Sequence, residues 1–252
     1  MDKEKASLIQ EFSSITGEKG TVARRFLSDA SFSLSDALTR YYADNSCSES
    51  DKEIDRNTSV DKFFDSYSDK CSLRIEPEGI HTLSGHLGID TLDVVWIIIA
   101  FNCQAKSMGT FTKAEWIRGM NALNCMECET LKKRLPSLRR SLNIDEEYTK
   151  IYDFAFTFAL DQGARNISLV TATALWSVIL PFSGWNLASI WLEFIQSDKI
   201  IADYKAVTKD VWNMLLVLKT QIPDRQNLGA FDRDGGAWPL LIDEFYDTVS
   251  EI

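Results

Sequence analysis

Residues 94–101 read VVWIIIAF, the longest apolar run in the chain. It falls far short of the roughly 20 apolar residues that cross a bilayer, so it fits a buried helix and not a membrane span. Asp90 stands where it would cap that helix, expected over residues 91–105 (TLDVVWIIIAFNCQA). Just before it, residues 76–88 (EPEGIHTLSGHLG) are punctuated by proline and glycine into a short helix. Just after it, Thr112 and Glu115 have the spacing of a capping box ahead of KAEWIRGMNAL.

The helical reading extends in both directions. Ser59 can cap VDKFFDSYS at residues 60–68. A basic amphipathic stretch, ETLKKRLPSLRRSL at 129–142, contains Pro136, which should kink or interrupt its hydrogen-bond ladder. Asp145, Glu146 and Glu147 suit a helix N-terminus ahead of YTKIYDFAFTFAL. Four more helical stretches follow at 169–180, 186–198, 208–222 and 239–249. No stretch alternates with a period of two, and no Asn-Gly hairpin signal occurs. The fold class is therefore all-α.

A smaller block precedes this one. Leu8, Ile9, Phe12 and Ile15 recur at helical spacing up to Thr16-Gly17. Val22, Ala23, Phe26 and Leu27 mark a second helix, and Ser33 can cap a third that carries Leu34, Ala37, Leu38, Tyr41 and Tyr42. The expected division is a three-helix bundle over 1–45, a flexible polar linker over 46–58, and a large helical domain over 59–252. All seven tryptophans lie after the linker.

Composition narrows function. The 252 residues are 45% hydrophobic and 25% charged, as in ordinary globular proteins, with a net charge of −10. That balance argues against a general nucleic-acid binder and suits either a basic partner or plain solubility. The N-terminus lacks the apolar core of a signal peptide, so Cys47, Cys71, Cys103, Cys125 and Cys128 read as reduced thiols. The sequons at Asn57 and Asn166 then carry no meaning. No membrane or nucleic-acid partner is expected.

Catalytic and metal signatures are sparse. There is no phosphate-binding loop and no nucleophile elbow. His81 and His86, five residues apart, do not share a helix face well, and neither sits beside a nucleophile motif. Cys125 and Cys128 form a C-x-x-C with no second pair to complete a zinc site and no strand before it for a redox centre. Asp232 and Asp234 begin a calcium-loop pattern, but Gly236 and Ala237 occupy its fifth and sixth positions and Asp243 its twelfth, which breaks it. The basic run Lys132, Lys133, Arg134, Arg139 and Arg140 suits acidic partners or RNA, or simply a solvated face. No catalytic residue, metal or cofactor is expected.

Residues 235–245 read GGAWPLLIDEF. Should this segment pack beside Lys209-Asp210-Val211-Trp212, then Asp210 and Asp243 would bracket a shallow acidic spot with the small Ala237 between them. Such a spot would receive a Lys or Arg of a partner. The plainer reading is that Asp210 caps its helix and Trp238 is core.

These two segments resemble the potentiating-neddylation domain of the defective-in-cullin-neddylation family. The resemblance covers roughly residues 60–249 and includes Phe156–Leu160 (FTFAL), Leu175-Trp176 and Trp191–Ile195 (WLEFI). The first block is similar to the ubiquitin-associated-type bundle that precedes this domain in several members. The resemblance implies a domain of EF-hand-like helix pairs that bind no calcium. It implies that Asp210, Ala237 and Asp243 form a cullin-docking patch for the C-terminal winged-helix region of a cullin with its RING-box subunit. It further implies a pocket for the acetylated N-terminal methionine of the neddylation conjugating enzyme, at Ile80, Trp96, Ile99, Met108, Phe111, Phe158 and Val178. Trp96 is bulkier than the aliphatic residue of the family pattern, and Met108-Gly109 replaces a polar residue and a cysteine, so the pocket is reshaped. Thr16, Gly17, Leu38 and Tyr42 would bind ubiquitin weakly, or else pack the small bundle. The implied role is a non-catalytic co-ligase in nucleus and cytoplasm. The alternatives are a ubiquitin-binding adaptor without neddylation activity and a calcium-responsive helical sensor.

Overall fold

The computed structural model describes residues 2–230 and 236–251, with side chains for 5–43, 58–229 and 236–251. The chain divides into two compact units, Met1–Ser59 and Val60–Ile252. The first contains α1 (Asp2–Thr16), α2 (Gly20–Asp29) and the start of α3 (Leu34–Asp65). Its core is Phe12, Ala23, Phe26, Leu27, Ala30, Ala37 and Tyr41. The Phe12, Phe26 and Tyr41 rings lie 5.4–6.1 Å apart and tie the three helices together. Gly17, at φ +73°, turns the chain out of α1. Ser33 Oγ accepts the Asp36 N–H at 3.4 Å, as its spacing predicts.

One expectation fails here. The backbone of α3 is helical without a break from Leu34 to Asp65, so residues 46–58 are helix and not a flexible linker, and Ser59 starts no new helix. A missing apolar face removes a reason to be buried. It supplies no helix breaker, and residues 34–65 contain neither glycine nor proline.

The second unit is built from helix–loop–helix pairs joined by short strands. The end of α3 leads through β1 (Arg74–Ile75) to α4 (Pro77–Leu87), and α5 (Val95–Cys103) leads through β2 (Phe111–Thr112) to α6 (Lys113–Ala122). β1 and β2 pair antiparallel, Ile75 opposite Phe111. After α7 (Cys128–Ser141) the plan repeats. α8 (Asp145–Phe158) leads through β3 (Asn166–Ser168) to α9 (Leu169–Ile179). α10 (Ala188–Ile195) and α11 (Asp198–Asp203) lead through β4 (Ala206–Thr208) to α12 (Lys209–Gln221), with Ile167 of β3 opposite Val207 of β4. α13 (Leu240–Glu251) completes the unit. The all-α class and the EF-hand-like pairing agree with the sequence. The strands and α11 were not anticipated, because two or three residues show no alternation and six show little periodicity.

One device starts three of these helices. The last residue of the strand is also the N-cap. Thr112 Oγ1 accepts from the Glu115 N–H at 3.3 Å, Ser168 Oγ from Thr171 at 3.0 Å and Thr208 Oγ1 from Val211 at 3.2 Å. The expected Thr112–Glu115 box is complete, since the Thr112 N–H donates to Glu115 Oε2 at 2.8 Å. Two local expectations change. Asp93, not Asp90, serves the start of α5, its Oδ1 accepting from Val95 at 3.0 Å, while Asp90 Oδ1 closes the preceding turn on Leu92 at 2.7 Å. Pro136 lies inside an uninterrupted α7, on the exposed face, where water can take the acceptor that the missing N–H leaves.

The α5–α6 crossing depends on a close approach. A Cβ on Gly119 would stand 2.2 Å from Cys103 Sγ and 3.0 Å from the Cys103 Cα. Gly119→Ala is therefore expected to destabilise the second unit by about 1–3 kcal/mol, the range for overpacking. Gly85→Ala in α4, where a Cβ meets nothing within 4 Å, should gain up to about 1 kcal/mol. Denaturant titration of both variants checks the contrast, and equal effects would refute the crossing argument.

Candidate functional site

α4, α5, the loop after α5, the end of α8 and the outer face of α9 enclose a cavity of about 280 Å³. Ile80, Trp96, Met108, Phe111, Phe158 and Val178 all line it. The seventh residue named from the sequence, Ile99, does not. It is fully buried in the core, and its neighbour Ile97 faces the cavity instead. α5 is buried on nearly every side, so its apolar pattern carries no mark of which face borders the opening. Leu92, Asp93, Thr171, Ala174 and Leu175 also contribute to the wall. They went unrecognised because they meet the others only through tertiary packing.

The wall is largely apolar. The Trp96 indole N–H donates to the buried Ser84 Oγ at 3.0 Å, which fixes the ring, and Phe111 lies 6.4 Å away at a tilt of 35°. The one ionisable wall residue, Asp93, accepts from Arg139 at 2.5 Å through Oδ2 and from Val95 through Oδ1. Its charge is thereby matched. Leu92 (72% exposed) and Met108 (48% exposed) are large apolar side chains at the rim, a placement typical of a contact surface. The cavity suits an uncharged apolar side chain of modest size.

Asp210 stands on α12, Asp243 on α13 and Ala237 in the segment entering α13, and α12 and α13 pack against each other. Asp210 is exposed in the first turn of α12. Thr208 caps that helix, so Asp210 is not the cap. Lys209 next to it points elsewhere, its Nζ 3.5 Å from Asp153 Oδ1. Ala237 is exposed, while Trp238 is half-buried against the core. The Pro239 carbonyl accepts from Ile242 at 2.8 Å and from Asp243 at 3.2 Å, which starts α13 with Asp243 in its first turn. Phe245 anchors the helix, its ring 5.1 Å from Trp191 and 5.4 Å from Phe194.

In the first unit, Thr16 Oγ1 donates to the Phe12 carbonyl at 2.8 Å and Gly17 is exposed. Leu38 packs against the small core, and Tyr42 is 53% exposed with its ring edge-on to Tyr41. Of the four, Gly17 and Tyr42 present most surface.

Several of the remaining candidates have structural contacts. His81 and His86 are exposed, and His86 Nδ1 lies 2.8 Å from the Tyr67 hydroxyl. Cys125 is buried and its thiol is pushed up by burial, while Cys128 is half-buried at the start of α7. Burial pushes the Cys103 thiol up to about 12. In the basic helix, Lys132 donates to the His86 carbonyl, Arg139 to Asp93 and Arg140 to the Pro136 carbonyl, while Lys133 and Arg134 are exposed. Among the described residues no cluster of three or more His, Cys, Asp or Glu could hold a metal, and no helix is long and apolar enough to cross a membrane. Asp232 and Asp234, the first two positions of the broken calcium pattern, lie outside the described residues.

The architecture defines a UBA-like helical bundle followed by a helical cullin-binding domain. Residues 6–46 match the family described as UBA-like domain, and residues 130–248, which include Asp210, Ala237 and Asp243, match the family described as cullin binding. The chain is 34% identical to rat DCN1-like protein 5 over 174 residues, 69% of this chain and 70% of that one, and 33% identical to the human protein over the same shares. It is 34% identical to zebrafish (Danio rerio) DCN1-like protein 4 over 181 residues, 72% of this chain and 62% of that one. The chain belongs to the DCN1-like family. It thus has a role in the cullin neddylation pathway, with a cullin as partner.

Proposed function

We propose that this protein is a scaffold-type co-ligase that bridges a cullin and the neddylation conjugating enzyme. The observation that carries the reading is the coexistence, in one compact unit, of two chemically opposite surfaces. Asp210, Ala237 and Asp243 would receive basic side chains of the cullin's C-terminal winged-helix region, held with its RING-box subunit. The neutral cavity walled by Trp96, Phe111, Phe158 and Val178 would receive the acetylated N-terminal methionine of the conjugating enzyme. Acetylation removes the ammonium charge, whose burial among apolar groups would otherwise cost several kcal/mol (about 5 or more). Holding both partners raises their effective concentration and restricts their orientation, so the acceptor lysine meets the thioester more often. The attacking amine and the thioester belong to the partners, and this chain contributes no catalytic group. Such a scaffold would act in nucleus and cytoplasm, where its partners work.

A test separates bridging from mere binding. Ala174 is exposed on the cavity wall, so Ala174→Trp should block the cavity without disturbing the core. Asp243→Lys should remove the cullin contact. In a reconstituted transfer reaction each variant alone is expected to lose the stimulation, and an equimolar mixture should not restore it, because both contacts must lie on one chain. Restoration by the mixture would refute bridging.

A second reading rests on the UBA-like match over residues 6–46 and the exposed Tyr42. In that reading the protein is a ubiquitin-binding adaptor without neddylation activity. Capture of the full chain by immobilised ubiquitin, together with no binding to the cullin, would favour it.

A further inference from the structure

The two aspartates of the proposed docking patch come from segments distant in sequence, so their spacing depends on tertiary contacts between α12 and α13. A directional link exists beside them. The Tyr204 hydroxyl donates to Glu244 Oε1 at 3.0 Å. Glu244 directly follows Asp243 in the first turns of α13. Its other oxygen lies 3.2 Å from Lys199 Nζ, and its side chain is only 21% exposed.

On the other side of the link, Tyr204 is tied to Asp210 by backbone that has little freedom. The Tyr204 N–H donates to the Ile200 carbonyl at 2.9 Å, closing α11. The Lys205 carbonyl accepts from Leu169 at 3.0 Å. Ala206, Val207 and Thr208 are then paired with β3, and Thr208 caps α12 two residues before Asp210. From Tyr204 to Thr208 the backbone is thus held by hydrogen bonds and strand pairing. The phenol stays protonated at any working pH, since burial and then the Glu244 carboxylate push it up to about 12. It is a permanent donor to a carboxylate oxygen, and hydrogen bonds of this kind are the stronger class. Lys199 lies against the other Glu244 oxygen, so the fold itself supplies an opposite charge to this carboxylate.

We infer that Tyr204 is a positioning residue for cullin docking: through Glu244 it fixes the spacing between Asp243 and Asp210 to which the partner's basic side chains must match. The inference rests on the docking role proposed for those aspartates.

The test uses the full chain, a cullin C-terminal winged-helix domain and an acetylated methionine-initiated peptide as probes. Tyr204→Phe keeps the ring and removes only the donor. Cullin affinity is expected to fall about 5- to 10-fold, the size of one ordinary hydrogen bond, because only part of the lost bond is felt at the interface. The melting temperature should move by no more than about 4 °C, and peptide affinity should not change. Glu244→Ala should lower cullin affinity similarly, and the double variant should be no worse than either single one, because both remove the same link. Additive losses, an unchanged cullin affinity, or an equal loss for both probes would overturn the inference. Asp243→Lys, measured alongside, separates the two layers. If it leaves cullin binding intact, the docking reading fails and this inference with it. If it abolishes binding while Tyr204→Phe does not weaken it, only the inference fails.

Discussion

Asp243→Lys should all but eliminate cullin binding. Losing one partner of a buried charge pair at an interface costs about 2–5 kcal/mol, equivalent to roughly 30-fold to over 1,000-fold in affinity. The lysine also repels the basic side chain it is meant to meet, so the upper part of that range applies. The fold is affected as well: a positive charge in the first turn of α13 opposes the helix dipole by about 0.3–1 kcal/mol, and the buried Oδ1 of Asp243 is lost. Because Asp243 is half-buried, Asp210→Lys provides a second variant at an exposed position. It reverses the same field without touching the core. Titration of the cullin domain against both variants, with melting curves as control, decides the matter. Wild-type affinity in two folded variants would remove the docking assignment.

Trp212→Ala should be the most damaging single change to the second unit. The ring is fully buried, stacked 4.5 Å from Tyr152 and 5.1 Å from Trp176, with Phe156 at 5.7 Å. Polar bonds fix the same cluster. The Trp212 N–H donates to the Tyr152 carbonyl at 3.1 Å, the Tyr152 hydroxyl donates to the Trp212 carbonyl at 2.9 Å, and the Trp176 N–H donates to that hydroxyl at 2.9 Å. The cluster joins α8, α9 and α12, so it supports both the cavity wall and the helix that carries Asp210. Truncating a buried tryptophan costs about 3–5 kcal/mol, a large part of the 5–15 kcal/mol that stabilises a typical domain. For a unit of this size the melting temperature should drop by roughly 6–20 °C. The first unit has its own core and should keep its own transition. Near-ultraviolet dichroism follows the tryptophan cluster directly, and a shift under about 2 °C would contradict the packing argument.

Local signals were legible in the sequence in proportion to how local their physics is. The Thr112–Glu115 box was readable because both bonds close within four residues. The acidic start of α8 and the cap at Ser33 were readable for the same reason. Polar composition at 46–58 misled, because burial and helicity are separate properties and only burial leaves a periodic mark. Pro136 misled because the cost of a proline depends on whether the carbonyl it frees faces solvent, which a sequence does not state. The site was legible unevenly. The acidic residues fall in short motifs, whereas the cavity draws on positions from Ile80 to Val178, and Ile97 and Ile99 cannot be told apart on a helix that is apolar throughout.

By itself the sequence determined the helical class, the helix caps, the absence of a membrane-length apolar run and the residue types of the two surfaces. These follow from hydrogen bonds and periodicities that span a few residues. Only the tertiary structure decided which side chains wall the cavity, how Asp93 is neutralised by Arg139 46 residues away, and that Tyr204 reaches Glu244 across 40 residues. Those contacts form between segments that meet only once the core has packed, and no local pattern records a meeting of that kind.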